Sequence, residues 1–217
     1  MKKGKIIVIE GACDGIGKTT QYELLKKRLE AEGNKIITHH FHSRNTPQGT
    51  LAENYLQGEY SKPRTLSPYF INCLYAVDRA VTWQTFLKKE YEDGKYLLLD
   101  RYNTSSIIYQ GALVDDIEER KKFIDYIVDY EFNKLGIGKP DAVIFLYAPY
   151  DMIQKLLKKR NGNKKAAYDE DFMKRVYDNA MFVSKYLGWD IIDCSKDGEM
   201  LPIEEIHEMI YESIKNK

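Results

Sequence analysis

The run Ile6-Ile7-Val8-Ile9, together with the glycine-rich segment after it, is the tightest constraint on this chain. Consecutive β-branched apolar residues read as a strand buried on both faces. Next comes Glu10-Gly11-Ala12-Cys13-Asp14-Gly15-Ile16-Gly17-Lys18-Thr19-Thr20. From Lys18 the pattern turns helical, with Tyr22, Leu25 and Leu29 as an apolar stripe that stops at Gly33-Asn34. A strand, a glycine-rich turn, Gly-Lys-Thr and a helix, in that order, are the context of a phosphate-binding loop. Gly15 and Gly17 let backbone N–H groups approach phosphate oxygens, and the positive end of the helix favours the anion there. Ile16 and Thr20 lie within the same cradle, Lys18 can reach the β- and γ-phosphates, and the Thr19 hydroxyl can bind Mg²⁺. The spacing departs from the strict motif at one place. Ala12 stands where glycine is required and Gly11 falls one residue early, as though the loop carried an extra residue.

Further buried strands are predicted at residues 35–41, 96–100, 142–147 and 189–193, separated by helical stretches at 66–91, 117–135, 151–160, 170–187 and 203–214. Alternating strands and helices call for a parallel sheet covered on both faces. The expected fold is therefore α/β, a three-layer P-loop nucleoside triphosphatase arrangement with five parallel strands. No repeat, linker or low-complexity tract interrupts it, so residues 1–217 read as one domain. Ligands in such folds bind at the carboxyl ends of the strands. That rule points to residues 11–19, 39–44, 100–101 and the stretch after Tyr147.

Composition narrows the function. The 33 basic and 33 acidic residues balance, which disfavours a dedicated nucleic-acid binder. The apolar run at residues 6–9 is too short for a signal sequence or a membrane span, so a cytoplasmic protein with no membrane partner is expected. Cys13, Cys73 and Cys194 are scattered and form no CxxC pair, which suggests reduced thiols. His39, His40 and His42 lack a second ligand cluster, so cleft or surface histidines are expected rather than a zinc site.

Several later segments, in order, resemble the thymidylate kinase family. These are Asp100-Arg101-Tyr102-Asn103-Thr104-Ser105-Ser106-Ile107-Ile108-Tyr109-Gln110-Gly111, His42-Ser43-Arg44-Asn45-Thr46-Pro47-Gln48-Gly49, Leu74-Tyr75-Ala76-Val77-Asp78-Arg79 and Lys139-Pro140-Asp141 before a strand. The resemblance implies ATP-dependent phosphorylation of dTMP, with Mg²⁺, by a homodimer. It also implies roles. Arg44 and Arg101 would hold the acceptor phosphate, Tyr75 would stack on the base and Arg79 would bond its carbonyl edge. Ser106 and Tyr109 would read the base and crowd the sugar 2′ side, while Asp14 would lie near the 3′-hydroxyl and the metal.

Independently, two guanidiniums suit a clamp on a phosphate. Tyr75 and Arg79 are one helical turn apart and share a face. Asp100 ends a strand beside the loop, where a carboxylate can orient a metal ion. The basic stretch at 155–165 reads as part of a mobile lid near residues 155–170. The family resemblance implies a catalytic arginine from either the phosphate loop or the lid; with no basic residue between Gly11 and Gly17, the lid is then expected to supply it, through Arg160 with Lys164 second. Lys18, Arg101, Arg160 and Asp14 are thus the expected catalytic residues. A kinase for another deoxynucleotide or a deoxynucleoside, or a non-catalytic nucleotide sensor, are the alternatives.

Overall fold

The computed structural model describes residues 3–12, 15–60, 65–161, 170–215 and 217, the side chains of Arg160 and Asn161 excepted. Strand β1 is Ile6–Gly11, β2 Ile36–His40, β3 Tyr96–Asp100, β4 Ala142–Tyr147 and β5 Asp190–Asp193. They form one sheet in the order β2-β3-β1-β4-β5, with every neighbouring pair parallel. The chain winds from β1 outward to β2, back to β3, and then across to β4 and β5. Its direction reverses at the β1–β3 boundary, where the two crossovers leave a crevice at the strand ends. A short hairpin, β6 (Ser195–Lys196) with β7 (Glu199–Met200), follows the sheet.

Every residue of β1 is buried, as its unbroken apolar run demands. The two-residue period of a strand divides its side chains between two cores. Ile6 and Val8 join Leu97, Leu99, Trp83, Leu87, Tyr102 and Ile137 on one face. Ile7 and Ile9 join Leu25, Leu29, Leu98, Ile144 and Phe145 in the larger cluster.

The helices are α1 Lys18–Ala31, α2 Thr50–Gln57, α3 Pro68–Thr82, α4 Lys88–Glu92, α5 Asn103–Gly111, α6 Ile117–Val128, α7 Tyr150–Asn161, α8 Glu170–Tyr186 and α9 Ile203–Lys215. The five strands fall where the sequence places them, to within a residue or two. Three details differ. The stretch predicted as one helix at 66–91 is α3 and α4 joined by a π-helical turn, Trp83–Leu87, and α6 ends in another, Asp129–Lys134. In α1 the buried face is Gln21, Leu25 and Leu29, whereas Tyr22 is half-buried and donates its hydroxyl to the Leu98 carbonyl at 3.0 Å. Helices α2 and α5 and the β6–β7 hairpin are additional to the sequence reading. Helix α5 begins Asn-Thr-Ser-Ser, residues that favour turns and caps over helix interiors.

Gly138 sits where the second core closes. A Cβ there would lie 2.3 Å from Trp83 Cη2 and 2.4 Å from Ile6 Cδ1. Neither side chain has room to yield, since both are buried. Gly138→Ala is expected to destabilise the protein by about 1–3 kcal/mol, the usual cost of overpacking, measured as a lower urea midpoint.

Candidate active site

The phosphate loop grows directly from β1. Gly11 pairs with Leu146 across the sheet, and Ala12, also buried, extends the pairing by donating its N–H to the Leu146 carbonyl at 3.0 Å. Ala12, where the motif spacing departs from the strict pattern, is thus held against β4. Gly11 must lack a side chain because a Cβ would lie 2.7 Å from Ile16 Cγ2 and 3.2 Å from Lys18 Cδ. The loop folds back over its own strand, and the Lys18 stem lies across Gly11. Gly15 and Gly17 have φ of 92° and 96°, the left-handed region that glycine occupies at no steric cost. Gly17 caps α1, and Thr19 and Thr20 in its first turn are exposed. Helix α7 touches the same loop, since Leu157 Cδ2 would be 2.8 Å from a Cβ on Gly15.

Beside this loop, across the end of β3, lies a cleft of about 420 Å³. Arg44, Tyr75, Arg79, Arg101, Ser106 and Tyr109, the acceptor residues expected from the sequence, all line it. Arg44 is exposed on the loop after β2. Tyr75 is held by edge contacts to His42 at 6.2 Å and Tyr55 at 6.3 Å. Arg101 has φ of 67°, a left-handed conformation that costs a non-glycine residue about 1–2 kcal/mol. The turn it makes sends Tyr102 into the core beneath β3 and leaves the Arg101 guanidinium 5.6 Å from the Tyr109 ring.

Arg79 is the most constrained of the group, only 2 % exposed. Its Nε and Nη2 donate to the two carboxylate oxygens of Glu131 at 2.6 and 2.7 Å, and Nη2 also donates to Asn72 Oδ1 and Ser106 Oγ, each at 3.1 Å. Ser106 thus supports Arg79 as well as lining the cleft.

Four functional candidates escaped the sequence reading. Glu10, 1 % exposed at the end of β1, accepts hydroxyl hydrogen bonds from Thr104 at 2.7 Å and from Ser105. It fastens the first turn of α5, the helix that carries Ser106 and Tyr109, to the strand that carries the phosphate loop. Gln110 lines the cleft, and its buried Oε1 accepts no hydrogen bond from the described residues. Asp78, fully buried, accepts the Ser43 N–H at 2.7 Å and so anchors the loop that bears Arg44. Glu131 is the fourth. The only sequence signal for them was adjacency, Glu10 beside Gly11, Asp78 beside Arg79 and Gln110 beside Tyr109; Glu131 had none.

Asp100 lies at the end of β3 and does not line the cleft. Its Oδ2 meets His40 Nδ1 at 2.9 Å. Burial pushes its carboxyl upward, but the His40 bond and charge, with Arg101 and Lys18, outweigh this and hold it below the usual range. The same balance puts Lys18 within electrostatic reach of Asp100. The histidines are bonded singly, His39 to Ser43 Oγ, His40 to Asp100 and His42 to Glu53. Among the described residues no group of three or more His, Cys, Asp or Glu side chains is placed to hold a metal ion. Asp14, Lys164 and the Arg160 side chain lie outside the described residues.

A phosphate loop on β1 and an arginine-rimmed cleft at β3, meeting where the sheet changes direction, define a P-loop nucleotide phosphotransferase with separate donor and acceptor sides. The family model for thymidylate kinase matches residues 9–210, and the chain belongs to that family. It is similar to the thymidylate kinases of Thermoanaerobacter sp. (strain X514) and Thermoanaerobacter pseudethanolicus, each 32% identical over 175 residues that cover 80% of both chains. The enzyme of Prochlorococcus marinus (strain AS9601) is 27% identical over 99% of this chain and 97% of its own. Among solved structures, the Candida albicans thymidylate kinase, described as broad in substrate specificity, aligns with a TM-score of 0.73 and 26% identity over 99% of this chain and 92% of its own. The Ehrlichia chaffeensis thymidylate kinase aligns at 0.68 with 21% identity, over 98% of this chain and all of its own, and shares the fold. The reaction is ATP-dependent phosphoryl transfer to dTMP.

The loop after β2 gives a pH prediction. Burial holds the His39 imidazole below its ordinary 6.5, reinforced by His40 and opposed by Asp78. The unfolded chain therefore takes up this proton first as pH falls. Stability present above the ordinary value is lost as pH drops through it toward the folded pKa. Urea midpoints should fall between about pH 7.5 and 5.5, and His39→Gln should flatten that decline.

Proposed function

We propose that dTMP fills the cleft with its phosphate between Arg44 and Arg101 and its base between Tyr75, Arg79 and Gln110, facing ATP on the phosphate loop. The observation that carries this reading is that residues from the β2 loop, α3, the end of β3 and α5 converge on one cleft. Guanidiniums clamp phosphate in a planar, bidentate manner, so Arg44 and Arg101 fix the acceptor end. Tyr75 offers a ring face already braced by two aromatic neighbours. Arg79 donates to a base carbonyl while Gln110 Oε1 accepts the adjacent imide N–H. A 4-aminopyrimidine presents the opposite polarity at both atoms and is disfavoured twice. Tyr109 crowds the sugar and favours a deoxyribose.

The acceptor phosphate is already ionised, so no general base or covalent intermediate is required. One of its oxygens attacks the γ-phosphorus in line. The new P–O bond forms as the bond to the β–γ bridging oxygen breaks, and that oxygen departs with its electron pair on ADP. Lys18 and the N–H groups around Gly15 and Gly17 neutralise the β- and γ-oxygens, and Arg101 neutralises the acceptor as the two polyanions meet. Positioning and charge neutralisation supply the acceleration. Thr19 and Asp100 offer hard oxygen donors of the kind Mg²⁺ takes, and Asp100 is held toward its charged form. When bound, Mg²⁺ draws charge from the β- and γ-oxygens. Asp14 toward the sugar and metal, and Arg160 with Lys164 from a lid near residues 155–170, complete the proposed machinery of a one-domain kinase.

The protein is proposed to be a cytoplasmic homodimer. No helix of the described residues is long and apolar enough to cross a membrane. Phe70, Val77, Val81 and Phe86 are exposed along α3 and its π-helical turn. Their spacings keep them on one stripe because the π turn absorbs one extra residue before Phe86. Such a stripe suits self-association. Val77→Glu is expected to shift sedimentation toward the monomer.

Activity is tested by ADP release across a panel of nucleoside monophosphates. dTMP should give the highest kcat/KM, and equal turnover of the other acceptors would refute the assignment. Arg101→Ala should lower kcat/KM for dTMP by about 100-fold or more.

A further inference from the structure

Arg79 donates four hydrogen bonds, all of them from Nε and Nη2. Glu131 takes Nε and Nη2, while Asn72 and Ser106 share Nη2. Nη1 makes none of these bonds. A guanidinium is planar and rigid, so fixing one edge fixes the direction of the other. Glu131 is itself fully buried, and its partner lies 52 residues away on α3. It projects from the π-helical turn Asp129–Lys134, a local departure from α-geometry of the kind often found at functional sites.

The charge matters as much as the direction. Arg44, Arg79 and Arg101 all line the same cleft. Any of the three could capture the acceptor phosphate. Only one orientation of the nucleotide places that phosphate beside the phosphate loop. Glu131 cancels the charge of Arg79 at the buried end, so Arg79 remains a hydrogen-bond donor without being an anion site.

We propose that Glu131 is a positioning residue for the acceptor. It aims Arg79 Nη1 at the base carbonyl and neutralises that end of the cleft, so that dTMP binds with its phosphate toward Arg44 and Arg101. This rests on the base-reading role given to Arg79 above.

The test compares variants by kcat/KM for dTMP against dCMP, by the Kd of a non-hydrolysable ATP analogue, and by Tm. Glu131→Gln should cut the dTMP:dCMP preference by about ten-fold or more and leave the analogue Kd unchanged. It should also lower Tm by about 10 °C, because the buried Arg79 charge loses its partner. Glu131→Asp keeps the charge but shortens the fork. It should retain most of the Tm while losing part of the preference, which keeps the proposal testable if the glutamine variant does not fold. The double variant Arg79→Met with Glu131→Leu should recover Tm toward the parent and keep the preference low. An unchanged dTMP:dCMP ratio in the Glu131 single variants, whatever their Tm, would reduce Glu131 to a structural residue. A parental ratio in the double variant would instead overturn the role of Arg79 itself.

Discussion

The buried carboxylate of Glu10 is the joint on which the site turns. A carboxylate removed from water is costly unless hydrogen bonds replace its hydration. Here the hydroxyls of Thr104 and Ser105 supply them, and the N-terminal end of α5 adds a favourable dipole. This ties α5 to β1 at the level where β1 becomes the phosphate loop. The register of the sheet does the rest. Ile9 lies opposite Asp100, so the turn at Arg101 emerges beside the loop, one strand away. The glycine-rich loop and the arginine-rimmed cleft are therefore set by the same few residues at two adjoining strand ends. In the proposed binding mode the sheet, rather than a flexible connection, sets the separation of the two phosphates.

Much of this was legible in the sequence because its signals are local. A buried parallel strand announces itself as an apolar run, and Gly15, Gly17, Lys18 and Thr19 are read from contiguous residues. The residues expected on the acceptor side were suggested only by an ordered series of short motifs, and the structure brings six of them to one cleft. Glu10, Asp78, Gln110 and Glu131 were not readable for a common reason. Each is a polar residue whose meaning comes from burial and from a partner distant in sequence, or from a cleft wall formed by other elements. Nothing in the chain around Glu131 distinguishes it from the solvated acids at Glu118 and Glu119, which pair with nearby lysines on the surface. Helix α5 was obscured by its own function: the hydroxyl-rich start that bonds Glu10 reads locally as a turn.

Ala12, where the spacing departs from the strict motif, is held against the neighbouring strand. Its N–H continues the pairing of β1 with β4, and the left-handed Gly15 and Gly17, the Lys18 stem over Gly11 and the start of α1 follow it. Leu157 against Gly15 then joins that loop to α7. A shift of α7 would press directly on the backbone at Gly15.

The three arginines of the cleft divide the work by their surroundings rather than by residue type. Arg44 sits on an exposed loop where water screens it, and Arg101 stands on a strained turn beside Tyr109, so both can meet a doubly charged phosphate at the cleft mouth. Arg79 is almost wholly removed from solvent, where a lone cation would be expensive and would bind any anion that reached it. Pairing it with an equally buried Glu131 converts a charge into a directed donor. In the proposed binding mode one residue type thus serves as an anion clamp at one end of the nucleotide and as a reader of neutral polarity at the other. The buried carboxylate is what separates the two uses.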